Sequence, residues 1–390
     1  MFMFRTAGES HGQALVTLIE GIPAHLRIDF DFIDNELKRR QGGYGRGGRM
    51  KIETDRVRIL SGVRHGETIG SPISLLIENK DWMNWTEIMA VSDASVDAAG
   101  KRRVTRPRPG HTDLAGSLKY NHTDARNILE RSSARETAAR VAAGAFAKIF
   151  LRAFGIEVLS HTRSIGNISV PETFAVSWDE LESIRNDDVV RCVLPEPAEQ
   201  MVAEIQQAQK DGDTIGGSFE VVARGVPTGL GSHISWDSRL DAKLAQAVMS
   251  INAVKAVEIG DGVRVAASRG SKAHDEIGYN AAEKSFYRLS NRAGGIEGGI
   301  TNGEAVRTIG HLKPIPTLKK ALQSVDMISK EPFAAQHERS DTCTVPAAGV
   351  IGETMVALVL AGAILDKFGG DSMQETSRNY TGYLQQIRDF

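Results

Sequence analysis

The residues able to do chemistry sit in short runs that also hold glycine or proline. "GESHG" (Gly8 to Gly12) presents Ser10 and His11 on a glycine-flanked turn. Histidine exchanges protons near neutral pH, so His11 is a candidate acid or base. The run does not match the G-x-S-x-G elbow that exposes a nucleophilic serine. "RPRPGHTD" (Arg106 to Asp113) carries Arg106, Arg108 and His111 on a proline-stiffened loop, where fixing side chains costs less entropy. "RSSARE" (Arg131 to Glu136) puts Arg131 and Arg135 beside a predicted helix start. Free backbone N–H groups and the helix dipole favour an anion there. "GGIEGGITNG" (Gly294 to Gly303) lets backbone approach a flat or phosphorylated ligand closely. It matches neither the Walker loop nor G-x-G-x-x-G. "KPIPT" adds Lys313 on a rigid turn, and "HERSDTCTVPAAG" adds Arg339 and Asp341. Val345 and Pro346 mark the next helix start, so Asp341 is not needed as its cap and is available as a base.

Each run also has a plainer reading. Gly8–Gly12 can be turn chemistry, Arg106–Asp113 a solvated basic turn, and Arg135 half of a surface pair. Cys343 reads as packing. The runs gain weight together. They bring Arg40, Arg46, Arg49, Arg106, Arg108, Arg131, Arg135, Lys313 and Arg339 into predicted loops, with His11, His111 and Asp341. Converged, they make a basic pocket for one or two small polyanions.

"RRQGGYGRGGRM" (Arg39 to Met50) admits a different class of partner. Between Arg39 and Arg49 it holds five glycines and four arginines, the composition of an RNA-binding Arg/Gly segment. The whole chain argues against that reading. It has a net charge of about -2 and a sequence pI near 6.6, whereas polyanion binders usually carry a basic excess. A small anion is the better partner for this tract.

The elements that must position these loops follow from pattern. The 390 residues are 41% apolar and 25% charged, an ordinary globular composition, and no linker divides them, so residues 1–390 read as a single domain. Cys192 and Cys343 lack metal-ligand spacing, which predicts no metal site and suits a reducing cytoplasm. The start is too soon polar for a signal peptide. The apolar run Met355 to Leu365 is about half a membrane span and reads as a buried helix. Two Ala-rich segments, one after Ser133 and one from Val345, predict long buried helices. Ser133 and Glu136 are spaced as a capping box for the first, and Gly155 is its stop. Their likeness suggests an internal pseudo-repeat. Further helices are predicted near Phe32–Arg40, at Pro197–Lys210 and at Arg239–Ile251. Strand-like runs include "ALVTLIEGIP", "RVRILSG", "ISLLIEN", "SFEVVARGVP" and "AVRTIGHLKPIP". Strands and helices cluster instead of alternating, which predicts α+β with antiparallel sheets around a helical layer. Lys80–Pro109 reads as long loops able to close over a site.

Taken in order, "GESHG", "RRQGGYGRGGRM", "SGVRHGETIGSPI", "RPRPGHTDLAG", "ERSSARETAARVA", "GDTIGG", "GVPTGLGS", "GGIEGGITNG", "KPIPT" and "ERSDTCTVPAAG" resemble the motif set of the chorismate synthase family. The resemblance runs from Gly8 to about Gly370, and the "GGYGRGGRM" form is similar to the longer Gram-positive-type members. It implies a lyase of the shikimate pathway, which makes chorismate by 1,4-elimination of phosphate from 5-enolpyruvylshikimate 3-phosphate. It implies reduced FMN as cofactor, a β-α-β sandwich with a helical core layer between antiparallel sheets, and a homotetramer in the cytoplasm. Flavin reduction would fall to NADPH on the enzyme or to a separate flavin reductase. Neither a nucleic acid nor a membrane partner is expected.

The resemblance also implies roles. His11 would protonate the departing phosphate. His111 would serve the flavin's pyrimidine end, and Asp341 would help deprotonate the flavin at N5. Arg40, Arg46, Arg49, Arg135 and Arg339 would grip the substrate, since a guanidinium fork matches carboxylate and phosphate. FMN would lie on Arg131, Ser132, Ser133, Asn252, Ala253, Gly298, Lys313, Pro314, Ile315, Pro316, Thr317 and Arg339, with NADPH meeting Arg40 and Arg46. A flavin oxidoreductase with net electron transfer is the alternative within enzymes; it would consume reduced nicotinamide in proportion to product.

Overall fold

A computed structural model describes residues 2–47, 54–92, 100, 102–186, 188–335 and 341–390. Two antiparallel sheets dominate. The first orders its strands Met3–Ala7, Ala14–Glu20, Ile73–Glu78, Arg58–Ile59. Alternation sets its faces: Leu15, Thr17 and Ile19 are buried while Val16 and Leu18 face out. The second runs Val254–Ile259, Val306–Leu312, Gly217–Arg224, Glu157–Ile165, Ile168–Ser169.

The Thr137–Arg152 helix packs on the first sheet through Ala14–Glu20 and Ile73–Glu78. The Val345–Phe368 helix packs on the second through Glu157–Ile165 and Gly217–Arg224, and the two helices pack on each other. Missing side chains permit this closeness. A Cβ on Gly144 would lie 2.2 Å from Thr354 Cγ2, and one on Gly352 would lie 2.4 Å from the Phe219 ring. The Val345–Phe368 helix is long and apolar enough to cross a membrane, yet 89% of its most apolar window is buried inside the protein. It covers the Ala-rich segment from Val345 expected to be a long buried helix, and alanines and glycines carry its apolar surface beyond the Met355–Leu365 run.

Several boundaries differ from expectation. The predicted helices occupy Phe30–Gln41, Pro195–Lys210 and Leu240–Met249. The expected capping box at Ser133 and Glu136 is absent. Ser133 Oγ instead accepts from the Arg135 N–H (3.3 Å), and Glu136 pairs with Arg140. A separate helix, Arg126–Ser132, precedes it, so Arg131 belongs to a last turn and not to a helix start. Within the span Lys80–Pro109, whose residues 93–99 and 101 lie outside the described residues, the 3-10 turn Lys80–Asn84 comes first and Trp85 is buried.

A buried ionic cluster joins these layers. Arg39 grips the Glu353 carboxylate with both terminal nitrogens (2.7 and 2.8 Å). Lys148 bonds Glu36 (2.6 Å) and Glu353, and Ser160 Oγ donates to Glu353 (2.6 Å). Three helices and the second sheet thus share one carboxylate. Burial alone would raise both acids, but Lys148 and Arg39 hold Glu36 and Glu353 below the usual carboxylate range. Glu353→Ala should cost about 3–5 kcal/mol, because removing one buried partner strands the others; urea unfolding measures it. The same cluster predicts an acid limb. Its stability is complete above the ordinary value of 4.5 and falls as pH drops toward the lowered native values. Glu353→Gln should flatten that limb in pH-dependent unfolding.

Candidate active site

The loops that follow or precede these elements meet at one cavity of about 430 Å³, within the range of small-molecule sites. Its walls bring together His11, Arg40, Arg46, Arg108, His111, Ser132, Ser133, Arg135, Asn252, Ala253, Lys313, Ile315, Pro316, Thr317 and Asp341. Ala347, Ala348 and Ile351, from the first turns of the Val345–Phe368 helix, supply an apolar floor. Among the described residues, five cations and two histidines line the space against one carboxylate, Asp341.

Arg40, Arg135 and Arg108 are held from behind the wall, and Arg46 by Asp341 on it. Arg40 leaves the Phe30–Gln41 helix one residue after Arg39 and turns to the cavity, bonding Asp55 (2.8 Å) and Thr137 Oγ1 (3.2 Å). Burial lowers Arg40 to about 10, which leaves it charged at neutral pH. Arg135 reaches the other Asp55 oxygen (2.5 Å) and donates through Nε to Asn79 Oδ1 (2.9 Å). Arg46 pairs with Asp341 (2.8 Å), whose other oxygen accepts the Gly47 N–H. Arg108 donates to Thr317 Oγ1 (3.0 Å), tying its loop to the Lys313–Thr317 turn.

The two histidines have matching surroundings. His11 lies 2.9 Å through Nδ1 from Glu130 and stacks on Trp85 at 3.9 Å. His111 lies 2.5 Å through Nδ1 from Asp113. Both acids are buried. Burial would raise Glu130, but bonds from His11, Ser10 and Arg126 hold it at about 2. Asp113 is likewise held below the carboxylate range by His111 and Arg108, against the effect of burial.

Some predicted site residues lie elsewhere. Arg131 turns away from the cavity and donates to Thr6 and Gly8 oxygens at 2.8–3.1 Å. Gly298 forms the turn between Ile296–Glu297 and Ile300–Thr301, away from the cavity wall. Pro314 stiffens its loop without lining the cavity. Arg106 stacks on Phe333 at 3.8 Å. Arg49 and Arg339 fall outside the described residues. Sequence reasoning missed Asp55, Asn79, Trp85, Asp113 and Glu130. Asp113 and Glu130 close or precede quoted runs; Asp55 and Trp85 carry no local signal.

The residues fit a bound aromatic ring system with anionic groups. Among the described residues, Asn252 Oδ1 and Arg40 Nε are buried with no hydrogen-bond partner. Asn252 Nδ2 is fixed on the Ser132 carbonyl (3.0 Å), and Ala253 takes a left-handed φ of 70° to bring its carbonyl to the Lys313 N–H. An apolar floor, an unused acceptor and a cationic rim suit a flavin-like group beside a polyanion.

The fold and cavity define a protein of mixed helices and strands with a cationic cavity of small-molecule size. The sequence model of the chorismate synthase family matches residues 2–365. The chain is 56% identical over 392 residues to a chorismate synthase of Solibacter usitatus, covering 100% of both chains. It is 54% identical over 396 residues to that of Geobacter sulfurreducens, again over 100% of both. A crystal structure of chorismate synthase superposes with a TM-score of 0.80 at 42% identity, covering 100% of this chain and 99% of the other. The chain belongs to the chorismate synthase family, lyases of the shikimate pathway, whose chemistry implies a reduced flavin.

Asp55 generates a prediction. Asp55→Asn leaves two buried guanidinium groups short of their shared counter-charge. The free enzyme should melt lower, and inorganic phosphate should raise its melting temperature more than it raises that of the parent protein. Equal phosphate effects in thermal melts would mean that Asp55 does not balance the two cavity arginines.

Proposed function

We propose that the cavity converts 5-enolpyruvylshikimate 3-phosphate to chorismate, with reduced FMN bound beside the substrate. The observation that carries this reading is the charge balance of the wall, five cations and two histidines against one carboxylate. The substrate brings a phosphate and two carboxylates. Arg40, Arg46 and Arg135 grip them, joined by Arg49 and Arg339 from the neighbouring segments. Reduced flavin, when bound, supplies a transient electron to the substrate and a nitrogen able to accept its proton.

The protein's own residues bind, orient and move protons. Ser132, Ser133, Asn252, Ala253 and the Lys313–Thr317 turn hold the flavin, with Arg131 and Gly298 as more distant supports. The apolar floor excludes water, which strengthens the arginine–anion attraction. His11 gives a proton to the leaving phosphate, and the arginines stabilise the charge that develops there. His111 and Asp341 handle protons at the flavin side. In the free protein Asp341 occupies Arg46; an incoming anion releases the carboxylate for that work. Arg40 and Arg46 also serve NADPH where it is the reductant.

In this reading the layers form a β-α-β sandwich in one domain of 390 residues, and the two central helices are equivalent halves of a pseudo-repeat. The enzyme works as a cytoplasmic homotetramer, and flavin reduction comes from bound NADPH or from a separate reductase.

The decisive experiment is anaerobic: protein, substrate and FMN, oxidised or pre-reduced, with phosphate release followed. Release only with reduced FMN supports the reading; release without flavin overturns it. NADPH added to the oxidised sample then tests self-reduction. His11→Ala should lower kcat by about 100-fold or more, the contribution of a general acid, with FMN affinity retained. Asp341→Asn should bind substrate yet lose most turnover. Arg46→Ala should raise the substrate Kd by about tenfold, the loss of a charge-assisted bond, in a titration; unchanged affinity would put the loop outside the site.

A further inference from the structure

The two cavity histidines share a construction that lies outside the roles above. Glu130, with a fully buried side chain, accepts through Oε2 from the His11 N–H (2.9 Å), Ser10 Oγ (2.6 Å) and His11 Nδ1 (2.9 Å). Its Oε1 accepts from Arg126 (3.2 Å). Asp113, also fully buried, accepts from the Arg108 N–H (3.1 Å), Arg108 Nε (2.8 Å) and Nη2 (3.0 Å), and sits against His111 Nδ1. Every other neighbour of these carboxylates is a donor. Ser10 Oγ also lies 3.0 Å from His11 Nδ1, but its one hydrogen goes to Glu130 at 2.6 Å. Arg108 Nη2 lies 3.0 Å from His111 Nδ1, farther than Asp113 at 2.5 Å. An ionised carboxylate only accepts, so the shorter carboxylate contacts place the hydrogen on each Nδ1. With Nδ1 bare, two lone pairs would face each other at 2.9 Å for His11 and 2.5 Å for His111.

We propose that Glu130 and Asp113 are positioning residues that fix His11 and His111 as Nδ1–H tautomers, leaving Nε2 of each ring as the nitrogen that exchanges protons with bound ligands. The inference rests on the reading of His11 and His111 as the proton-handling groups. The second nitrogen's partner sets which nitrogen works, and here the partner comes from the protein interior in both cases. The charged groups around each ring belong to the same arrangement. Arg126 and Arg102 lie over the Trp85 indole on which His11 stacks, at 5.3 and 4.1 Å. Arg108 Nη2 lies 3.0 Å from His111 Nδ1 and 3.4 Å from Nε2. Because Asp113 takes the Nδ1 hydrogen, Arg108 steadies the carboxylate without competing for that nitrogen. Trp85 clamps the His11 ring plane, so the direction of Nε2 is set as well as its protonation.

The test uses the ligand-free enzyme with 15N-labelled histidine, with resonances assigned by their loss in His11→Asn and His111→Asn. Under conditions where the rings are neutral, both should show a protonated Nδ1 and a bare Nε2. A protonated Nε2 on either ring overturns the proposal for that ring, with no dependence on any variant folding. Glu130→Gln should then mix the His11 tautomers while leaving His111 unchanged, and Asp113→Asn should do the reverse. Each should lower kcat by about tenfold or more, with substrate KM and FMN affinity changed by less than about twofold. Wild-type kcat in Glu130→Gln would reduce Glu130 to a loop anchor. The tautomer measurement needs no turnover, so its failure is distinct from failure of the assigned roles, which the His11→Ala assay reads.

Discussion

Burying the ionised Glu353 carboxylate is the constraint on which the rest depends. A charge at that depth is tolerated only when fully paired, and its partners come from Arg39, Lys148 and Ser160 on three other elements. The pairing therefore fixes the Phe30–Gln41 helix against the two central helices. Arg39 and Arg40 are neighbours about 100° apart around that helix. Locking Arg39 into the interior points Arg40 at Asp55 and the cavity. The same lock sets where the chain leaves the helix at Gly42 to carry Arg46 over the cavity rim.

The cavity repeats the principle at a lower level of pairing. Asp55 is shared by Arg40 and Arg135, Glu130 by Arg126 and His11, and Asp113 by Arg108 and His111. Each carboxylate stands behind the wall, Arg40, Arg135, Arg108 and the two imidazoles stand on it, and Arg126 supports Glu130 from behind. The acids keep the cations charged and oriented at modest cost, while the face seen by a ligand stays positive. Complete pairing would stabilise the free protein but leave little field for an anion. Arg40 Nε, buried without a partner among the described residues, marks where pairing stops short.

Legibility in the sequence follows from what each feature depends on. The central helices were readable because their Ala-rich runs are apolar on every face, a signal local to the chain. Their starts were less so. Ser133 and Glu136 have capping-box spacing, yet a preceding helix ends at Ser132 and redirects both side chains. The wall residues His11, His111, Lys313 and Asp341 sat in runs rich in glycine or proline, so residue type and turn chemistry pointed together. Arg131 had the same local signature as Arg135, and only tertiary contact with Thr6 and Gly8 separates them. Asp55 and Trp85 act through partners far along the chain, and nothing near them in sequence marks that. The hairpins Ile277–Asn280 with Ser285–Arg288 and Gln323–Val325 with Pro332–Ala334 are short and largely exposed, so the alternation that reveals a half-buried strand is missing.

The walls differ in how they can respond to a ligand. The Arg106–Thr112 loop and the Lys313–Thr317 turn hold four prolines between them and are joined through Arg108 and Thr317. They present a fixed outline. The opposite rim, Gly42 to Gly47, takes left-handed φ at Gly43 and Gly45 and is held by Asp341 through Arg46 and the Gly47 N–H. That contact sets one carboxylate against a guanidinium and an amide. In the proposed function, a phosphorylated dicarboxylate would compete for the same guanidinium with more charge, so binding would exchange an internal pair for an external one instead of creating a pair from nothing. The net gain is smaller than an unpaired arginine would give. In the proposed function, that exchange is what would free Asp341 as a proton-accepting carboxylate only once an anion has arrived.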